Sequence, residues 1–240
     1  MAASPILFDL RLLPPKDMSI GRTPIALRPP ESLNGDGAGV MFSPGRMTIT
    51  YDSIRLWSRE SHLAYNRMRS WSQGGVRAVH VPIITDYFAP TLTENGPVWA
   101  RSSFSDGGTF SDGGLFAGET IVAFVAEAAL LSAGTLKIKV STGGQLVGGE
   151  MFSLFSTELG HHPHDIVQVD NAETVAGGVV YTCWISPGLF FPVAVGDEAR
   201  FVRPLCTSII QDGEKLLYET SGSLLSDVRP TMKFIEKLGW

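Results

Sequence analysis

The chain has 240 residues, 44% hydrophobic and 18% charged, with a formal net charge of −5. That length allows one large β domain or two small ones, and the negative balance offers no basic stripe for nucleic-acid sequence recognition. A charged fraction below the ~25% usual for soluble domains fits either a surface covered by other chains or a β-rich chain full of Gly, Ser and Thr.

The opening Met1-Ala2-Ala3-Ser4-Pro5 has no basic region followed by an apolar block, so no secretory leader is expected. Residues 6–12 form a partly alternating apolar run, stopped by Pro14-Pro15. From Arg11 to Met47, six prolines (Pro14, Pro15, Pro24, Pro29, Pro30, Pro44) and Gly35, Gly37 and Gly39 predict a loop-rich segment. One short edge strand at 25–28 fits there, but no long central strand. Residues 47–56 are β-branched and alternate in part, which predicts a strand. Ser58 then caps a single helix over 59–73, with Glu60 and Ser61 in its first turn. Leu63, Arg67 and Trp71 recur at fours, as do Ala64 and Met68, and Gly74-Gly75 ends the run. This helix is expected to lie on a sheet, with Arg67 and Arg69 facing solvent or a neighbouring subunit. Residues 76–81 alternate cleanly up to Pro82.

Two near-identical pentapeptides follow, Phe104-Ser105-Asp106-Gly107-Gly108 and Phe110-Ser111-Asp112-Gly113-Gly114. Asp-Gly-Gly is turn chemistry: Gly accepts positive φ and Asp bonds nearby backbone N–H groups. Beyond them, strands are predicted near 120–126, 135–140, 151–155, 165–169, 179–185 and 199–201. Glycine pairs and Gly196-Asp197 separate them. A spacing of about ten residues per strand predicts a small sandwich or barrel. Strands at 205–210 and 215–218 flank the turn signal Gln211-Asp212-Gly213-Glu214, and 231–237 reads as a last strand. The most apolar window, 121–131, is broken by Glu127 and too short to cross a bilayer, so no membrane anchor is expected.

Chemistry-bearing residues are sparse. His161-His162-Pro163-His164-Asp165, near Glu158, could ligate a transition metal, but the spacing matches no closed zinc site; a solvated loop before Ile166 is the expectation. Asp106 and Asp112 lack the alternating acidic ligands of a calcium loop. Asn34-Gly35-Asp36-Gly37-Ala38-Gly39 lacks the Lys and the helix of a phosphate loop. There is no Gly-x-Ser-x-Gly elbow. Cys183 and Cys206 read as buried, reduced core thiols. Trp71 and Trp184 read as core among the five tryptophans Trp57, Trp71, Trp99, Trp184 and Trp240. Phe190-Phe191, after Pro187-Gly188, is either a plug for its own domain or an interface. No catalytic, cofactor-binding or metal residue is assigned, no cofactor is expected, and the chain is expected not to be an enzyme. A carboxylate pair assembled only by the fold stays open.

The doubled Phe-Ser-Asp-Gly-Gly resembles a signature of tail-tip proteins of long-tailed, siphovirus-type bacteriophages. Further segments fall in a matching order: Arg46-Met47-Thr48-Ile49-Thr50, Trp71-x-x-Gly74, Gly149-Glu150-Met151-Phe152-Ser153, Ser186-Pro187-Gly188-Leu189, and Arg203-Pro204-Leu205 after Gly196-Asp197-Glu198. The similarity spans roughly residues 40–210. It implies a distal tail protein, a minor tail-tip component in the virion, made in the bacterial cytoplasm. The implied function is a ring adaptor between tail tube and hub, with the tape measure protein as a further partner. The ring is expected to hold six copies, with three as the alternative. The implied fold is all-β: a β-sandwich domain with one helix, from 1–95 and 203–240, a connector at 96–114, and an inserted small, OB-like barrel at 115–202. Some relatives hold an iron–sulfur cluster on four cysteines; this chain has 2, so no cluster is implied. Interface candidates are Arg22, Arg28, Arg67, Arg69, Phe190 and Phe191. A carbohydrate-binding β module of a phage tip is the alternative function.

Overall fold

A computed structural model describes residues 4–27, 40–85, 89–90, 100–102, 116–118, 121–211 and 229–238. The Asp-Gly-Gly pair, Arg28, the 34–39 glycine stretch, Trp99, Trp240 and the 212–218 turn and strand lie outside the described residues. The strands are β1 (Ile6–Leu7), β2 (Asp17–Leu27), β3 (Val40–Asp52), β4 (Val79–Pro82), β5 (Ala100–Ser102), β6 (Phe116–Gly118), β7 (Val122–Val125), β8 (Thr135–Thr142), β9 (Met151–Ser156), β10 (Gly160–Val175), β11 (Gly178–Ser186), β12 (Leu205–Gln211) and β13 (Met232–Glu236). One α-helix, α1 (Arg59–Ser72), stands among them, so the fold is all-β with a single helix among the described residues.

The chain divides into two compact units, Met1–Pro82 with Cys206–Trp240, and Ile83–Leu205. The sequence places the boundaries near 95 and 203. The structural division instead falls at the end of β4, at Pro82, and one residue into β12, which begins at Leu205. Ile83 N donates to Pro204 O at 2.8 Å, which ties together the two ends of the second unit.

The first unit is a six-stranded sheet in the order β1-β4-β12-β13-β3-β2. β1 and β4 pair in parallel, whereas β3 pairs antiparallel with both β2 and β13. The expected strand at 6–12 is only two residues long, because the chain turns at Leu10–Leu12. The expected loop-rich segment is corrected to a long hairpin, β2 against β3. Proline did not prevent it for a physical reason. Pro24 sits on the edge strand, at a register shift between Thr23 and Ile25, where the sheet needs no donor from it. The core is aromatic. Phe8, Tyr51 and Phe234 are buried with ring centroids 4.9–5.6 Å apart, and fully burying one such side chain is worth roughly 1.5–3 kcal/mol.

α1 begins where the sequence places it. Ser58 accepts from Ser61 N while Ser61 Oγ accepts from Ser58 N, a reciprocal capping box. The helix ends through Gln73 and Gly74, at φ 45° and 71°. The buried face differs from the expected apolar stripe. Ser61, Tyr65, Met68 and Ser72 are buried, while Leu63 is exposed and Trp71 half-buried.

The second unit is a five-stranded sheet in the order β7-β8-β11-β10-β9, all antiparallel. Its two edges, β7 and β9, are both bonded by the same short segment. Val125 N donates to Asp197 O at 2.8 Å and Ala199 N to Ala123 O at 2.9 Å; Ser153 and Arg200 exchange bonds of 2.9 and 3.0 Å. Residues 197–200 therefore close the curled sheet into a small barrel. Its core includes Val125, Ile138, Phe152, Leu154, Ile166, Tyr181, Cys183 and Phe201. β5 and β6 form a separate two-stranded ribbon.

Candidate interaction surfaces

The residues flagged from the sequence separate into three kinds of place. Arg22 is not on a contact loop. It lies in β2 with 12% of its side chain exposed, and its Nη1 is 3.1 Å from Glu236 Oε2, which is fully buried. The hairpin that replaces the expected loop turns this arginine toward the sheet interior. Glu236 Oε2 also accepts from Met47 N at 2.9 Å. Beside it, Cys206 is buried with Ser208 Oγ 3.2 Å from its sulfur. Burial, and then the Glu236 charge, push the Cys206 thiol well above its ordinary range.

Arg67 and Arg69 are exposed on α1. Arg67 borders a shallow depression of about 300 Å³ between the helix and the chain around β1, with Leu7, Leu12, Leu63, Ala64 and Met68 along it. Leu7 is 58% and Leu63 56% exposed there. Trp71 is not simple core either. Its Nε1 donates to Ala78 O at 3.0 Å, and the Arg77 guanidinium lies 5.0 Å from its ring centre, a cation–π contact.

Phe190 and Phe191 belong to their own barrel. Leu189, Phe191 and Val193 are buried in alternation, and Phe190 packs against the same core. Backbone bonds hold this segment: Ser132 N to Leu189 O at 2.8 Å, and Val193 N to Ala129 O at 2.9 Å. The two rings act as a plug, so an interface role for them is withdrawn. Their neighbours correct a second expectation. The histidine cluster is not a solvated loop but part of β10, and His162 and His164 are fully buried. His162 lies 5.2 Å from Phe190 and 5.9 Å from Phe191, ring centre to centre. His164 Nδ1 is 2.9 Å from Pro187 O. Pro163 is tolerated because β10 there has only β9 beside it; pairing with β11 begins at Asp165. Among the described residues no group of three or more His, Cys, Asp and Glu is placed to hold a metal ion.

Trp184 also departs from its expected core position. On β11, Tyr181, Cys183 and Ile185 point inward, and Trp184, of opposite parity, is 51% exposed. Its Nε1 donates to Asp170 Oδ2. Asp170 Oδ1 accepts from Gln168 Nε2 at 3.1 Å, and Gln168 is the cross-strand partner of Trp184. Behind this face, Cys183 is buried, and desolvation, then Glu150 and Asp170, push its thiol up to about 12. Sequence reasoning missed this site because the apolar neighbours of Trp184 masked the strand parity.

The motif residues that fall within the described regions do structural work. Glu150 is buried and accepts from Val147 N and Gly148 N, each at 2.8 Å. Asp197 Oδ2 accepts from Ala194 N at 2.8 Å beside Gly196. Each carboxylate satisfies backbone donors of a turn. No helix among the described residues is long and apolar enough to cross a membrane. No protein-family model matches the chain, and no curated protein matches it significantly.

Proposed function

We propose that the chain is a structural component of a phage tail tip, a ring adaptor between the tail tube and the hub, with no catalytic step of its own. The observation that carries this reading is the outer side of β2. This strand is 11 residues long and, among the described residues, terminal in its sheet. A long edge strand offers unpaired N–H and C=O groups to another chain, and a ring closes when each copy meets the next through such unlike surfaces. The exposed α1 face with Leu63 and Arg67 supplies a second contact surface, and Arg69 is exposed on the opposite flank of the helix. The order of short motifs across residues 40–210 supports the same reading, and their turn-bracing carboxylates suit a scaffold rather than an enzyme.

Electron cryo-microscopy of tailed particles carrying this chain is the test. Six copies around the channel, between tube and hub, are the expected result, with β2 seated against a neighbouring copy. Three copies would keep the adaptor role and correct the symmetry. A particle whose tip lacks the chain, or carries it as single copies away from the axis, overturns the proposal.

A further inference from the structure

One end of the first sheet gathers positive charge in a chain that carries 24 acidic residues against 19 Lys and Arg. β3 ends at Asp52, opposite Asp17 at the start of β2, and β13 begins at Met232, opposite Tyr51. Three segments distant in sequence therefore meet at this end, and backbone bonds fix them. Lys16 N donates to Asp52 O and Arg55 N to Pro14 O, each at 3.1 Å, and Ile54 N donates to Pro230 O at 2.9 Å. Each segment brings one cation to the same open depression of about 430 Å³. Lys16, Arg55 and Arg229 line it together with Pro14, Pro15 and Ser53.

Among the described residues no acidic side chain lines this depression, and Arg55 makes no ion pair. Two carboxylates stand beside it. Asp52 Oδ1 accepts from the Thr231 hydroxyl and, at 2.9 Å, from Ser53 N, and these bonds hold its carboxyl below the ordinary pKa. Its charge is thus engaged in bracing the turn. Asp17 lies 4.0 Å from Lys16 Nζ with the two side chains 69% and 68% exposed; a pair that open contributes little and leaves the lysine able to turn inward. The ligand follows from the donors. A carboxylate brings one negative charge. A phosphate monoester brings about −1.5 to −2 at pH 7 with three acceptor oxygens, which suits three cations, two of them guanidinium forks. Pro14 and Pro15 add an apolar wall for the group that carries the phosphate. A nucleic acid would need a basic stripe rather than one depression.

We propose that the depression formed by Lys16, Ser53, Arg55 and Arg229 is a binding site for a dianionic phosphate group, free or as the monoester of a small molecule. The site is independent of the ring-adaptor role. Both can hold in one protein, and either can fail alone.

Titration of the full-length chain with inorganic phosphate, phenyl phosphate and acetate tests it, at constant ionic strength and about pH 7.5, where phosphate is mostly dianionic. The amide resonances of Ser53 and Arg55 are the readout. Both phosphates are expected to shift them saturably, with a dissociation constant on the order of 1 mM, and acetate to bind at least ~10-fold more weakly. Tighter binding of phenyl phosphate would assign the site to a monoester lying on the proline wall, and equal affinity would assign it to the free anion; either result supports a phosphate site. Arg55→Gln is expected to weaken binding ~10-fold or more, the loss of one hydrogen bond to a charged group. It should melt with the wild type, because the side chain is exposed. Ser53 has φ 50°, which glycine adopts without strain, so Ser53→Gly removes only the hydroxyl and should weaken binding less. Lys237→Gln deletes the same charge beyond the other end of β13 and should leave binding unchanged. No saturable shift with either phosphate at about 10 mM, where a site of that affinity would be mostly filled, overturns the proposal. So does acetate binding as tightly as phosphate, or Lys237→Gln weakening binding as much as Arg55→Gln, which would reduce the effect to bulk charge.

Discussion

Arg22 and Glu236 sit on strands that are not neighbours, β2 and β13, and their 3.1 Å ion pair reaches across β3 between them. The carboxylate also takes Met47 N from that middle strand. One buried group thus links three strands, and it fixes the register of the hairpin that forms this end of the sheet.

That linkage predicts an asymmetry between single and double variants. Arg22→Met takes away the cation 3.1 Å from the buried Glu236 carboxylate, and removing one partner of a buried pair costs about 3–5 kcal/mol. Arg22→Met with Glu236→Met removes both charges and should recover a substantial part of the loss. Urea unfolding of the three proteins checks this. Equal losses in the single and double variants would mean that the pair contributes only packing.

His80 gives the fold a pH dependence. It lies in β4 with Nδ1 3.0 Å from Thr207 Oγ1, and burial lowers its pKa below the ordinary value. Below about pH 6.5 the unfolded chain binds a proton that the folded chain resists. Stability contributed by neutral His80 is therefore present above that pH and declines as pH falls through it. His80→Gln should flatten this part of the stability–pH curve relative to wild type. A curve of unchanged slope would assign the dependence to other groups.

Much of the architecture was legible because it rests on local chemistry. Ser58 and Gly74 bracket α1, and the glycine-separated runs of the second unit became strands. The faces were harder to read. Apolar spacing marked Leu63 and Trp71, yet the helix buries Ser61 and Ser72. Those hydroxyls are small and satisfied internally, Ser61 Oγ by Ser58 O at 2.7 Å and Ser72 Oγ by Arg69 O at 2.8 Å, so burying them is inexpensive. Likewise, nothing local tells that Arg22 will meet a carboxylate 214 residues away. The Trp184 site needed the β10–β11 register, whose shifts between Ile166 and Gln168 and between Val169 and Asn171 cannot be counted from sequence. The barrel closure at 197–200 was visible only as a short strand near 199–201, because its partners lie on two distant edges.

Gly178 and Gly134 form a matched pair for testing the β10–β11 turn. Gly178 has φ 144°, and an added Cβ would run into the backbone oxygen of Val140 on β8. Backbone on a central strand cannot yield, so Gly178→Ala should cost roughly 1–3 kcal/mol or more, as overpacking does. Gly134 has an ordinary φ, and a methyl group added there would meet nothing within 4 Å, so Gly134→Ala should be near neutral. Thermal melting of both variants is the measurement. A neutral Gly178→Ala would show that the turn approaches β8 less closely than this contact requires.

Cys183 and Cys206 should be silent to thiol reagents in the native protein. The thiolate is the reacting species. Burial pushes Cys183 up to about 12 and Cys206 higher still, with neighbouring carboxylates adding to both shifts. At pH 8 the thiolate fraction of Cys183 is then on the order of 10⁻⁴ by the ordinary titration relation, and neither sulfur is accessible to a bulky aromatic disulfide. Native protein mixed with such a reagent should release almost no chromophore over minutes, and two equivalents after denaturation. Because each sulfur lies in the core of a different unit, stepwise labelling through a denaturant series should also show which unit opens first. The Arg22→Met variant is expected to bring Cys206 labelling to lower denaturant and to leave Cys183 where it was. Rapid labelling of either thiol in native buffer would contradict the packing described for that core.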